Sequence, residues 1–237
     1  MMRLADLAST LAVAALVAPV AAAPAGCGGD GNQPPIDAAS DADAAPDAAT
    51  EVRFTGEYVS WDSTLTDFLG VFGATITVDS DATRTAKTAP NGRFDLQIPA
   101  DDYVRYTVTP ATTGDHPDYI GGIGIVAKAL APTAGVSMRT MTPTRAADFG
   151  YDATKAQIFV HMTGVGEPVT VVAPHAAGFH LVGSGWVAGE TGTDVYIPNV
   201  EVGSGTTMVR LAGSSGLPPT VPLVAGKFTY LTADTNL

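Results

Sequence analysis

The chain has 237 residues, a formal net charge of −12, and 15% charged residues against 46% hydrophobic ones. Its 12 Lys and Arg occur singly, which argues against a nucleic-acid partner, because phosphate binding needs clustered cations. One cysteine excludes an internal disulfide and any multi-cysteine metal site in a monomer, and the 26 Gly and 17 Pro favour strands and turns over helices.

Residues 8–23 form an Ala-rich apolar run that includes Leu11, Val13, Leu16, Val17 and Val20, preceded by Arg3. This pattern predicts a signal peptide over 1–26. The run contains Pro19 and too few strong apolar side chains for a span of about 20 residues, which argues against a transmembrane anchor. It ends in Ala25-Gly26-Cys27-Gly28-Gly29, which resembles a bacterial lipoprotein box. The resemblance implies lipidation of Cys27, export, and a lipid anchor in the outer membrane or cell surface, so the membrane is the expected partner. Pro24 stands where an aliphatic residue is usual. Cleavage at Ala23-Pro24-Ala25 is the competing reading and would leave a secreted or periplasmic protein.

Residues 27–51 are predicted to be a disordered linker. From Gly28 onward they carry six acids (Asp30, Asp37, Asp41, Asp43, Asp47 and Glu51), no base, no aromatic, and Ile36 as the one sizeable aliphatic. Such a segment buries too little apolar surface to offset chain entropy, and its like charges extend it. The acidic Ala/Pro/Asp stretch resembles the stalks of myxobacterial lipoproteins.

From Phe54 the pattern becomes period-2, the signature of half-buried strands. Ala74, Ile76 and Val78 alternate with Thr75 and Thr77, Phe94, Leu96 and Ile98 with Asp95 and Gln97, and Val104, Tyr106 and Val108 with Arg105 and Thr107. Pro90-Asn91-Gly92 predicts the turn before Phe94, with Asn91 and Gly92 suited to positive φ. The run Gly73-Ala74-Thr75-Ile76-Thr77-Val78, then Thr88, Gly92, Phe94, Leu96 and Pro99, with Tyr106 beyond, resembles the carboxypeptidase regulatory-like family. The likeness covers about residues 53–110 and implies a transthyretin-like β-sandwich that accompanies peptidases without being their catalytic part.

The expected first unit spans 52–132, with Ile120 to Leu130 as its closing edge strand. A bridge over 133–152 contains a short helix with Thr142 as N-cap, Pro143 at N1 and Gly150 as stop. A second unit spans 153–237, with apolar segments at 156–162, 169–172, 179–182, 195–200, 208–211 and 228–231. The fold class is therefore all-β, as two small antiparallel β-sandwich units in tandem, or alternatively one continuous β-sandwich domain.

No catalytic constellation emerges. Gly183-Ser184-Gly185 lacks the spacing of a nucleophile elbow and suits a turn. His116, His161, His175 and His180 show no zinc spacing, although His175 and His180 are close enough to meet across a hairpin. Asp79-Ser80-Asp81 and Asp101-Asp102 read as turn residues rather than calcium or glycosidase carboxylates. No metal, no cofactor and no enzyme activity are expected. Trp61 and Trp186 are the candidate ligand-binding residues, because exposed indoles stack on sugars or pack on proteins, with a place in the core as the competing reading. The expected function is a non-catalytic lipoprotein that displays β-sandwich modules for structural, adhesive or protein-binding roles at the envelope, or alternatively a carbohydrate-binding module.

Overall fold

The computed structural model describes residues 51–235 apart from 64–68, 101–102, 113–117, 128–134, 214–216 and 219. The expectations for the leader, Cys27 and the linker up to residue 50, and for His116 and Asp101-Asp102, fall outside the described residues. In chain order the strands are β1 (Glu51–Ser60), β2 (Thr75–Val78), β3 (Asp81–Lys87), β4 (Arg93–Pro99), β5 (Tyr103–Thr109), β6 (Gly122–Ala127) and β7 (Val136–Thr140), followed by helix α1 (Pro143–Ala147). Next come β8 (Ala156–Met162), β9 (Glu167–Val171), β10 (Phe179–Val182), β11 (Gly185–Ala188), β12 (Thr191–Gly192) and β13 (Asp194–Val200). The chain closes with β14 (Thr206–Thr207), β15 (Val209–Leu211), β16 (Val221–Pro222) and β17 (Phe228–Ala233). The molecule is all-β, as the alternating pattern predicts.

A nine-stranded sheet, ordered β11-β10-β13-β8-β17-β6-β5-β2-β3, forms the central layer. Ile76, Val78, Val104, Tyr106 and Val108 of this sheet bury against Phe54, Phe94, Leu96, Ile98, Val136 and Met138 of the sheet β4-β1-β7. A second core joins Ile158, Val160, Val195, Ile197 and Leu231 to Val169, Val171, Val209 and Leu211 of the sheet β12-β9-β15. Strands β8, β13 and β17 serve both cores: Phe159, Tyr196, Phe228 and Tyr230 point into the first while their neighbours in sequence point into the second. Burial on both faces explains why these segments are apolar or uncharged almost throughout instead of alternating.

Of the two arrangements open from sequence, a continuous sheet is what forms. Strand β17, at the end of the chain, lies between β6 and β8 and runs parallel to both, so one hydrogen-bonded sheet crosses the boundary expected at residue 153. The described residues all fall in one compact unit. β6 is thus an interior strand, not a closing edge. Its glycines make room for rings, since a Cβ on Gly124 would lie 1.9 Å from Tyr106 Cζ and one on Gly122 would lie 2.4 Å from Tyr230 Cε2. The expected bridge also supplies a strand: β7 pairs in parallel with β1, burying Val136 and Met138.

Local chemistry is close to expectation. Thr142 caps α1, its Oγ1 accepting the Arg145 N–H at 3.2 Å, with Pro143 in the first turn and Gly150 leaving the helix at φ 72°. In the turn before β4, Gly92 takes φ 77°, whereas Asn91 stays outside the left-handed region and its Oδ1 accepts the Arg93 N–H at 3.1 Å. That turn carries the chain from the central sheet to the β4-β1-β7 sheet. Buried Thr88 secures its approach, donating to the Val71 carbonyl at 2.6 Å and accepting the Ala74 N–H at 2.9 Å.

Candidate ligand groove

Alternation along β1 sends Phe54 and Tyr58 inward and leaves Arg53, Thr55 and Glu57 on the outer face of the three-stranded sheet. Strand β4 likewise buries Phe94, Leu96 and Ile98 and presents Arg93 and Asp95 outward. Register aligns these groups in rows: Arg93 faces Glu57, which faces Ser137 of β7, and Asp95 faces Thr55. With Lys87 from the end of β3 and His161 from β8, they line a groove of 810 Å³. Gly56 and Gly135 form part of its floor. A Cβ on Gly56 would lie 2.5 Å from Val136 Cγ2 and 2.8 Å from Phe94 Cε1, so the sheet is close-packed beneath the groove.

The charges are only partly matched. Arg53 grips Asp95 through Nε at 3.0 and 2.9 Å, and through Nη2. This hydrogen bonding, with the charge pairing, raises the Arg53 pKa and holds the Asp95 carboxyl below its ordinary range. Glu57 accepts the Ser137 hydroxyl at 3.1 Å. Lys87 and Arg93 have no carboxylate partner among the described residues.

His161 is held from behind. Its Nδ1 lies 2.7 Å from Oδ1 of buried Asp194, whose Oδ2 lies 3.9 Å from Arg139 Nε. Arg139 Nη1 in turn donates to the Ser63 carbonyl at 2.7 Å. A ring fixed at Nδ1 by a buried carboxylate keeps its orientation, and its Nε2 has no hydrogen-bond partner among the described residues.

Trp61 and Trp186, 125 positions apart in sequence, are brought together, but not as an exposed platform. Trp61 is 1% exposed, and the half-buried Trp186 stacks on it with centroids 4.0 Å apart and planes 15° apart. Tyr196 and Phe149 close the sides edge-on at 4.8 and 5.4 Å. Both indole N–H groups are buried without a hydrogen-bond partner among the described residues. Apolar area decides this placement: two large rings stabilise the fold more by stacking in the first core than by facing water.

No protein-family model and no curated protein sequence matches the chain. Among solved structures, the Bacillus anthracis TIE protein aligns with 78% of the chain at 9% identity and a TM-score of 0.24, and the chain spans 34% of that protein's length. The groove's own chemistry therefore carries the functional reading.

Other residues singled out from sequence take structural roles. His175 places Nδ1 2.9 Å from the Ala173 carbonyl and Nε2 3.4 Å from Glu190, while His180 Nδ1 is buried without a partner among the described residues. Among the described residues, no three His, Cys, Asp or Glu side chains converge as metal ligands. Ser184 sits in the turn between β10 and β11, beside Gly183 at φ 61°. Asp79 accepts the Thr107 hydroxyl at 2.8 Å, and Asp81 accepts the Thr83 N–H at 3.0 Å. Of the groove residues, the sequence points to His161 only as a possible zinc ligand and to Phe94 and Asp95 only as positions of an alternating strand; the signal for the rest is charge at the outward positions of β1 and β4, where period-2 reading stops at polar versus apolar.

Proposed function

We propose that the chain is a non-catalytic exported lipoprotein, anchored through Cys27, whose β body presents the groove above the three-stranded sheet to a ligand at the cell envelope. The observation that carries this reading is a pair of cations, Lys87 and Arg93, with no carboxylate partner among the described residues, beside an oriented His161 in one polar groove. Ser137, His161 and Asp194 are residue types that hydrolases use, but among the described residues no hydrogen bond joins Ser137 to His161, which supports binding over a Ser-His-Asp relay. The carboxypeptidase regulatory-like likeness over about 53–110 agrees with an accessory module. The acidic linker would hold the groove away from the membrane, with a reach of at most about 80 Å at roughly 3.3 Å per residue.

The test is intact mass and fractionation of the protein expressed with its leader in a bacterium that processes lipoproteins. The expected result is a diacyl-modified N-terminus at Cys27 and membrane retention, both lost in Cys27→Ala. An unmodified protein cleaved near Ala25 overturns the anchor.

A further inference from the structure

We propose that the groove binds an acidic saccharide, a glycan chain carrying uronate carboxylates. This deepens the binding reading above and rests on it. On a chain of net charge −12, the lining collects Arg53, Lys87 and Arg93 against Glu57 and Asp95, a local excess of cations on an otherwise acidic protein. Arg53 and Asp95 already satisfy one another, so the cations available to an incoming anion are Lys87 and the Arg93 guanidinium. A guanidinium and a carboxylate match as a two-pronged pair.

The remaining lining selects the class of anion. Glu57 and Asp95, already receiving Ser137 and Arg53, keep carboxylate lone pairs that can receive further hydroxyl donors, and Thr55 adds a neutral hydroxyl. A saccharide with more than one hydroxyl for each carboxylate can place its carboxylates on Lys87 and Arg93 while its hydroxyls donate to Glu57 and Asp95, whereas polyphosphate brings charge to those two carboxylates with no hydroxyl donor. A protein partner would need a pocket for an apolar anchor, and the large apolar side chains of the lining, Phe94 and Val136, are buried. The volume of 810 Å³ lies in the range of small-ligand sites. His161, steered by Asp194, offers Nε2 to a hydroxyl or carboxylate from the same lining.

The experiment is calorimetric titration of the full-length protein, in its purified form, with a short oligogalacturonate, its fully methyl-esterified counterpart, poly-L-glutamate and inorganic phosphate. The uronate should bind, weaken with added salt, and lose roughly tenfold or more in affinity on esterification and in Lys87→Ala/Arg93→Ala, whose side chains are not core residues. Arg93→Glu supplies a second variant with the same expected direction, and unchanged thermal midpoints verify folding. No uronate binding, equal binding of the ester, equal binding of polyglutamate or phosphate, or unaltered affinity in both variants overturns the proposal. Cys27→Ala should leave the titration unchanged, so failure of the anchor and failure of the saccharide are separately visible.

Discussion

Tyr106 lies so close over Gly124 that a methyl group there would sit 2.2 Å from its hydroxyl oxygen and 1.9 Å from Cζ. The ring is fully buried against Phe54 and cannot swing away freely. Gly124→Ala should therefore destabilise the protein by about 2 kcal/mol, an overpacking cost measurable as a lower urea midpoint at constant slope. A second residue-scale consequence concerns pH. Burial raises the phenol pKa of Tyr58, Tyr106, Tyr196 and Tyr230, because the folded state favours the neutral form. Above the unfolded value of about 10, the unfolded chain gives up protons that the folded chain retains. Stability contributed by these rings is thus complete below that value and falls as pH rises beyond it. Urea midpoints taken from neutral to strongly alkaline pH should drop steeply there, with phenolate absorbance at 295 nm appearing together with unfolding.

Helix α1 is a single short element whose start is set by one side chain. Thr142→Ala removes the acceptor for the Arg145 N–H and should cost about 1 kcal/mol, read from chemical denaturation. The Arg145 pairs with Asp62 and Asp148 are exposed and should contribute less, with a deficit from their removal that shrinks in salt. Among the strands, legibility followed exposure. β2, β4 and β5 each face a core on one side and solvent or a neighbouring loop on the other, so period-2 alternation located them and named Ile76, Phe94, Leu96, Val104 and Tyr106 as inward. β6 is legible as a strand, but its glycines suggest a loose edge. Only the rings of Tyr106 and Tyr230, which arrive from β5 and β17, fill that surface and make it interior. β7 is not legible in the sequence, because five residues carry little periodic signal and its partner β1 lies about 80 positions away.

β17 ties the whole molecule together. It pairs with β6 on one side and β8 on the other while its side chains enter both cores, so neither half of the chain has a complete sheet without it. The described body should unfold in one cooperative step. Trp61 and Trp186 come from opposite halves and stack, so their fluorescence and far-UV dichroism should give superimposable urea transitions. A chain ending at residue 226 should lose tertiary structure on both sides of residue 153, seen as loss of dispersed amide resonances from both halves. Two separable transitions would restore the tandem arrangement.

Composition and period-2 patterning by themselves determined the all-β class, the positions of most strands, the capped helix and the Gly92 turn, because each depends on interactions within a few residues. The fate of the two tryptophans, the continuity of the central sheet and the groove depended on register between strands far apart in the chain. Local chemistry carries no record of which strand will lie beside which. Arg93, Glu57 and Ser137 become neighbours only when β4, β1 and β7 align, and Asp194 reaches His161 only when β13 pairs with β8. Pairing over such distances is decided by total burial in the two cores, a property of the assembled molecule.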